Sequence, residues 1–131
     1  MSVFTSTAII NRPVSDVYNF LADMNNHKQL MPESIIDWSS TTDTVNFNIQ
    51  NMAKLSLRVD SRTPDYQIVI IPAQTPPFAM KLVWQLAADG DTTKATFTIN
   101  AELNMMMKMM ASGPLQKLAD HETSSLAAAV K

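Results

Sequence analysis

Few residues in this chain are equipped for chemistry, and the sharpest of them is Glu122. Leu118 and Leu126 stand four residues to either side of it, and Leu115 and Ala129 seven to either side. At helical periodicity this puts a carboxylate inside an apolar stripe, where it is costly unless paired, hydrated or functional. Either Glu122 projects into a cavity, orienting a polar ligand group or acting as an acid or base with a raised pKa, or the stripe loosens near the end of the chain and Glu122 reaches solvent. His27 and His121 are the two histidines. No pair of ligands has the i, i+4 spacing of a helical metal site, so both are expected as free surface histidines and no metal is expected. His121 and Glu122 are sequence neighbours, point to different sides of a helix and form no dyad. There is no cysteine, and no serine sits on a glycine-flanked elbow. No catalytic residue is assigned, and Asp89 and Asp91 read as a solvated hairpin tip.

The apolar residues say more. Five methionines crowd Met105 to Met110 around Lys108. They read as gap-fillers under a sheet edge, as a soft lining at a cavity mouth, or as a sticky patch for a partner or membrane. On a helix they point in most directions, so some must meet solvent or a partner. Trp38, Trp84 and Phe97 occupy inward strand positions, and Trp84 and Phe97 are expected on a cavity wall. Apart from Ser6 the inward strand positions are almost wholly apolar, whereas active sites gather titratable groups in one pocket. Binding is favoured over catalysis.

The elements that position these residues follow from periodicity. Val3 to Ile10 reads as a strand rich in β-branched residues. Arg12-Pro13 breaks it, and Val14, Val17, Tyr18 and Leu21 recur at helical spacing, giving a short helix from Pro13 to Met24 that Asn25-Asn26 stops. One further helical turn is expected between His27 and Pro32. Val45, Phe47 and Ile49 then alternate with polar neighbours, as do Ala53, Leu55, Leu57 and Val59. Phe78 to Leu86 and Ala95 to Leu103 repeat the pattern, while Tyr66 to Ile71 is more evenly apolar. Period-two alternation marks antiparallel strands with one buried face. Thr42-Asp43, Thr63-Pro64-Asp65 and Asp89-Gly90-Asp91 read as hairpin turns, and Pro76-Pro77 as a stiffer bend. From Asn104 onward the residues are good helix formers. Gly113-Pro114 is expected to kink or restart that helix, because the proline lacks an N–H and crowds the carbonyl of Met110. Beyond it Leu115, Leu118, Ala119, Leu126 and Ala129 form the stripe.

Composition bounds the rest. A chain of 131 residues with 46% hydrophobic residues suits one domain, residues 1–131, with a real core. Charged residues make up 17% and the net charge is −2, with no basic block. Nucleic acid is therefore not expected as a partner. No stretch approaches the length of a membrane helix, and the first residues lack the pattern of a signal peptide, so no integral membrane segment is expected and the location is expected to be cytoplasmic.

Only the C-terminal helix has a long apolar stripe, and each strand has one apolar face. The economical arrangement curls the sheet around that helix, leaving space between them. The order and local sequences resemble the polyketide cyclase/START-like superfamily, SRPBCC, which includes the birch pollen allergens. The resemblance is carried by Ile10-Asn11-Arg12-Pro13-Val14-Ser15-Asp16-Val17-Tyr18-Asn19-Phe20-Leu21 and by Asn104 to Leu118, and it spans nearly the whole chain. The glycine-rich loop of the plant members has no counterpart, the chain having only Gly90 and Gly113. The resemblance implies an α+β helix-grip fold: a curved antiparallel sheet of six or seven strands wrapped around a long C-terminal helix, with a short helix after the first strand. It also implies binding of an apolar or aromatic small molecule, such as a lipid, quinone or polyketide-like ring, between sheet and helix. Phe47, Leu57, Trp84, Phe97, Met107, Leu118 and Glu122 are the expected ligand-binding residues. No cofactor is expected, and a homodimer is left open. The alternatives are a cyclase, dehydratase or hydrolase using Glu122, and a protein-interaction module using Met105 to Met110.

Overall fold

The alternating segments form one seven-stranded antiparallel sheet in the computed structural model, which describes residues 2–50, 53–76 and 78–130. The strands are β1 (Ser2–Ile10), β2 (Ile35–Ser40), β3 (Thr44–Ile49), β4 (Ala53–Thr63), β5 (Gln67–Pro72), β6 (Met80–Asp89) and β7 (Thr92–Ala101). Their order across the sheet is β1-β7-β6-β5-β4-β3-β2, so every neighbour except β1 follows its partner through a hairpin connection. The Pro76-Pro77 bend expected from the sequence includes Pro77, which lies outside the described residues.

Register fixes which side chains share the inner face. Phe97 of β7 pairs with Ser6 of β1 on one side and Trp84 of β6 on the other, and Trp84 pairs in turn with Ile68 of β5. The rings of Trp84 and Phe97 stack with centroids 4.6 Å apart. Phe97 and Ile99 are buried while Thr98 and Asn100 between them are not, which is the register the alternation implies. The evenly apolar β5 is explained by burial of Ile68, Val69 and Ile70 in succession. At the β6–β7 turn Gly90 takes a φ of 62°, the left-handed region open to a residue without Cβ.

Alternation does not outline β2, although Trp38, expected at an inward strand position, lies in it. Asp37 sits at φ 56° and the β2–β3 register shifts between Ile36 and Ser39, so the strand carries a bulge that breaks period two. Aspartate tolerates this conformation better than most residues, and Asn48 Nδ2 donates to Asp37 Oδ2 at 2.6 Å.

Helix α1 (Val14–Ala22) buries Val17, Tyr18 and Leu21, and Asp16 in its first turn pairs with Arg12 at 3.0 Å. It stops at Asp23, which takes an extended conformation and accepts from the Asn25 N–H, starting a 3₁₀ helix over Met24–Leu30. Arg62 of β4 donates from Nε to the Ala22 carbonyl and from Nη2 to the Thr42 carbonyl, tying the end of α1 to the sheet.

Helix α2 (Met105–Ala129) starts at Asn104, whose Oδ1 accepts from the Met107 N–H at 2.8 Å. It runs 25 residues through Gly113-Pro114 without the restart that was one of the two outcomes expected there. A glycine and a proline cost a helix about 1 and about 3 kcal/mol. Good helix formers on both sides and the burial of Ala111, Leu115 and Ala119 against the sheet outweigh that cost. At 1.5 Å per residue the helix spans about 37 Å. It lies along β1, where Ser6 Oγ and Thr123 Oγ1 are 2.8 Å apart and Gln116 Nε2 donates to the Thr5 carbonyl. The buried stripe is Ala111, Leu115, Ala119, Glu122, Thr123 and Leu126. Ala129, expected in that stripe, is exposed. No helix among the described residues is long and apolar enough to cross a membrane.

Candidate functional site

Between α2 and the inner sheet face lies a cavity of about 30 Å³, lined by side chains from β2 to β7, the 3₁₀ helix and α2. Phe47, Leu57, Trp84, Phe97, Leu118 and Glu122 all reach its wall. Met107 does not; it packs against the core, since the first turns of α2 extend away from the cavity. The large inner side chains largely fill the space, and what remains accommodates about one or two water-sized groups.

A wider cleft of about 780 Å³ opens beside it, between α2 and the ends of β2 and β3. Met110, Pro114, Lys117, Asp120, His121 and Ser124 of α2 form one side, and Pro32, Ser34 and Gln50 belong to the other. Ile49, Leu115 and Leu118 line both spaces, so three aliphatic side chains form the partition between cleft and cavity. Of the methionine run, Met105, Met106, Met109 and Met110 are exposed, and Met110 also lines the cleft.

The polar groups on the cavity wall are few and poorly satisfied. Glu122 is 3% exposed. Among the described residues nothing donates to its carboxyl and no cation pairs with it. Burial alone pushes its pKa up to about 8, so the carboxyl is predominantly neutral at pH 7. The solvated alternative for Glu122 is set aside. Trp84 is fully buried, and its Nε1–H has no hydrogen-bond partner among the described residues. Together they put an acid and an indole donor on a wall that is otherwise aliphatic and aromatic.

His27 corrects a second expectation. It is buried rather than on the surface, reaches the same cavity wall, and its Nε2 lies 2.8 Å from the Leu21 carbonyl. A carbonyl only accepts, so Nε2 carries the proton and Nδ1 is left as the acceptor. Burial lowers its pKa and keeps it neutral. The signal was present in the sequence: Met24, His27 and Leu30 are all buried at a spacing of three, the period of a 3₁₀ helix. A search at spacing 3.6 passes over it. His121 is exposed and lines the outer cleft. Trp38 is half-buried, stacks on Phe47 at 5.7 Å and completes the cavity wall beside β3.

No protein-family model matches the chain, and no curated protein matches it. Solved structures do. A START superfamily protein from Mycobacterium smegmatis superposes with a TM-score of 0.72 at 14% identity, covering 98% of this chain and 96% of that one. The Zhui aromatase/cyclase from Streptomyces sp. R1128 gives 0.75 at 14% identity, with 98% and 93% covered. The Aha1 dimer from Colwellia psychrerythraea gives 0.71 at 17% identity, with 99% and 96% covered. At such identities the likeness is one of backbone. Seven antiparallel strands, a short early helix and a long C-terminal helix across the inner face make this an α+β helix-grip chain with the START-like, polyketide-cyclase-like fold.

Proposed function

We propose that the chain binds an apolar or aromatic small molecule, such as a lipid or a fused-ring compound. The ligand's body lies in the outer cleft and its tip passes the partition into the cavity between sheet and α2. The observation that carries this reading is the sharing of Ile49, Leu115 and Leu118 by the two spaces. A cleft of several hundred Å³ suits a small-molecule ligand, and the partition consists of side chains able to move by rotamer change. The fold shared with a START superfamily protein and an aromatase/cyclase supports the same reading.

Methyl NMR tests it. Tetralin and dodecanoate are titrated separately into the protein with isoleucine and leucine methyls labelled. At least one of them is expected to shift the methyls of Ile49, Leu115 and Leu118 saturably. Titrations in which neither probe moves these three methyls would overturn the proposal.

A further inference from the structure

Of the polar side chains on the cavity wall, Trp38 donates to Ser40, and the other three are His27, whose Nδ1 is left as an acceptor without a partner among the described residues, Trp84 and Glu122. His27 Nε2–H is donated to the Leu21 carbonyl, whereas the Glu122 carboxyl and the Trp84 Nε1–H have no partner among the described residues. Both side chains are more than nine-tenths buried, and both line a space with room for only a small group. Their neighbours on that wall include Phe97, Ile99 and Leu82, which offer no hydrogen bond. An unmade hydrogen bond in such a place costs about 1–3 kcal/mol per group. Leucine at 122 and phenylalanine at 84 would avoid that cost.

We infer that Glu122 and Trp84 together receive a single neutral oxygen, carbonyl or hydroxyl, at the leading end of an otherwise apolar ligand. The inference rests on the binding reading above and specifies its chemistry. Indole Nε1–H can only donate, so the ligand atom must accept. The neutral carboxyl offers an O–H donor on the same wall, and an oxygen with two lone pairs can accept from two donors. A hydroxyl can instead accept from Trp84 and donate to the carboxyl. An anionic ligand group is disfavoured, because no cation reaches the cavity to offset its desolvation. The cavity of about 30 Å³ admits one such oxygen with its carbon, and the ring body remains in the cleft of about 780 Å³.

The other titratable groups nearby are accounted for. His27, from the 3₁₀ helix, is on the same wall and neutral. Lys117, Asp120 and His121 of α2 face the outer cleft. The strands contribute no titratable side chain to the cavity.

The test compares tetralin, 1-tetralone and 1-tetralol by calorimetry at pH 7 on wild type, Glu122→Leu, Glu122→Gln and Trp84→Phe. Wild type is expected to prefer the two oxygenated compounds over tetralin by about tenfold. Glu122→Leu should lose most of that preference while still binding tetralin. Glu122→Gln, which keeps a neutral donor and acceptor, should retain it. Trp84→Phe should weaken the tetralone preference; should that variant fold poorly, Glu122→Leu against Glu122→Gln decides alone. Raising the pH to 9.5 ionises Glu122 and removes its O–H, so the tetralone preference should fall in wild type and persist in Glu122→Gln. Equal affinity for all three compounds in wild type, or an undiminished preference in Glu122→Leu, would refute the two-group oxygen site and leave the apolar binding reading standing. Failure of all three to bind would instead strike the binding reading itself.

Discussion

Replacing Glu122 by glutamine exposes the cost of its burial directly. The carboxyl moves from an ordinary pKa of 4.5 to about 8 on folding, driven by desolvation alone. A carboxyl raised in the folded state binds its proton more tightly there than in the unfolded chain. Stability is therefore fully present below the unfolded pKa and is lost as pH rises toward the folded one. By pH 7 the loss attributable to Glu122 is about 3 kcal/mol, and beyond pH 8 it levels off near about 5 kcal/mol. Glutamine has nearly the same shape and no charge to desolvate. Glu122→Gln should match wild type at pH 4, exceed it by about 3 kcal/mol at pH 7, and exceed it further at pH 9. For a chain of this length the pH 7 difference corresponds to about 10 °C in Tm. The assay is urea unfolding followed by circular dichroism from pH 4 to 9, with the variant's curve subtracted from wild type. His27 titrates in the same range with the opposite sign, but it is present in both proteins and its contribution largely cancels. Parallel stability curves across the range would show a solvated carboxyl. A variant less stable than wild type at pH 7 would show an ionised carboxyl with a counter-charge. Either result refutes the account of a desolvated, unpaired acid.

The remaining predictions address other parts of the same machinery. Leu118→Trp, at a half-buried partition position, should abolish the methyl shifts produced by tetralin at Ile49 while costing no more than about 1–3 kcal/mol of stability. Thr123→Val removes the hydroxyl that Ser6 meets at 2.8 Å and should cost about 1 kcal/mol, read from the midpoint of urea unfolding. Gly113 is exposed within α2, and a Cβ added there meets nothing within 4 Å. Gly113→Ala should therefore stabilise by about 1 kcal/mol and raise Tm. His27 is a buried base held neutral, so its contribution is lost as pH falls below its ordinary value of 6.5. In scans from pH 7 to 5, His27→Gln should remove that acid sensitivity.

The fold was legible because five of the seven strands and the long helix obey simple periods. Phe97, Trp84, Leu57 and Phe47 were placed on the inner face by alternation alone. Only Trp38 marked β2 in the sequence, because the bulge at Asp37 destroys the alternation that would outline the strand. Continuity of α2 through Pro114 was hidden for a different reason. Local propensity opposes it, and only the tertiary burial of Ala111 and Leu115 makes the helix the cheaper state. At the site, Glu122 was conspicuous as a charge in an apolar stripe. The lone Nε1 of Trp84 was not, since hydrogen-bond satisfaction is a property of the packed structure. The outer cleft was equally invisible, being assembled from the 3₁₀ exit at Pro32, the end of β3 and one side of α2, which no single sequence pattern links.

Glu122 and Trp84 bear on how ligand and fold are coupled. A domain holds together by only about 5–15 kcal/mol, so a desolvated acid costing about 3 kcal/mol at pH 7 is a large local deficit. That deficit lies in the cavity that shares Ile49, Leu115 and Leu118 with the cleft. An apolar ligand stabilises the folded state only through its own affinity. A ligand that also completes the hydrogen bonds of the acid and the indole gains in affinity what the empty site lacks. The thermal shift produced by 1-tetralone should therefore exceed that of tetralin at equal concentration, and the excess should shrink in Glu122→Leu, where there is no carboxyl left to satisfy.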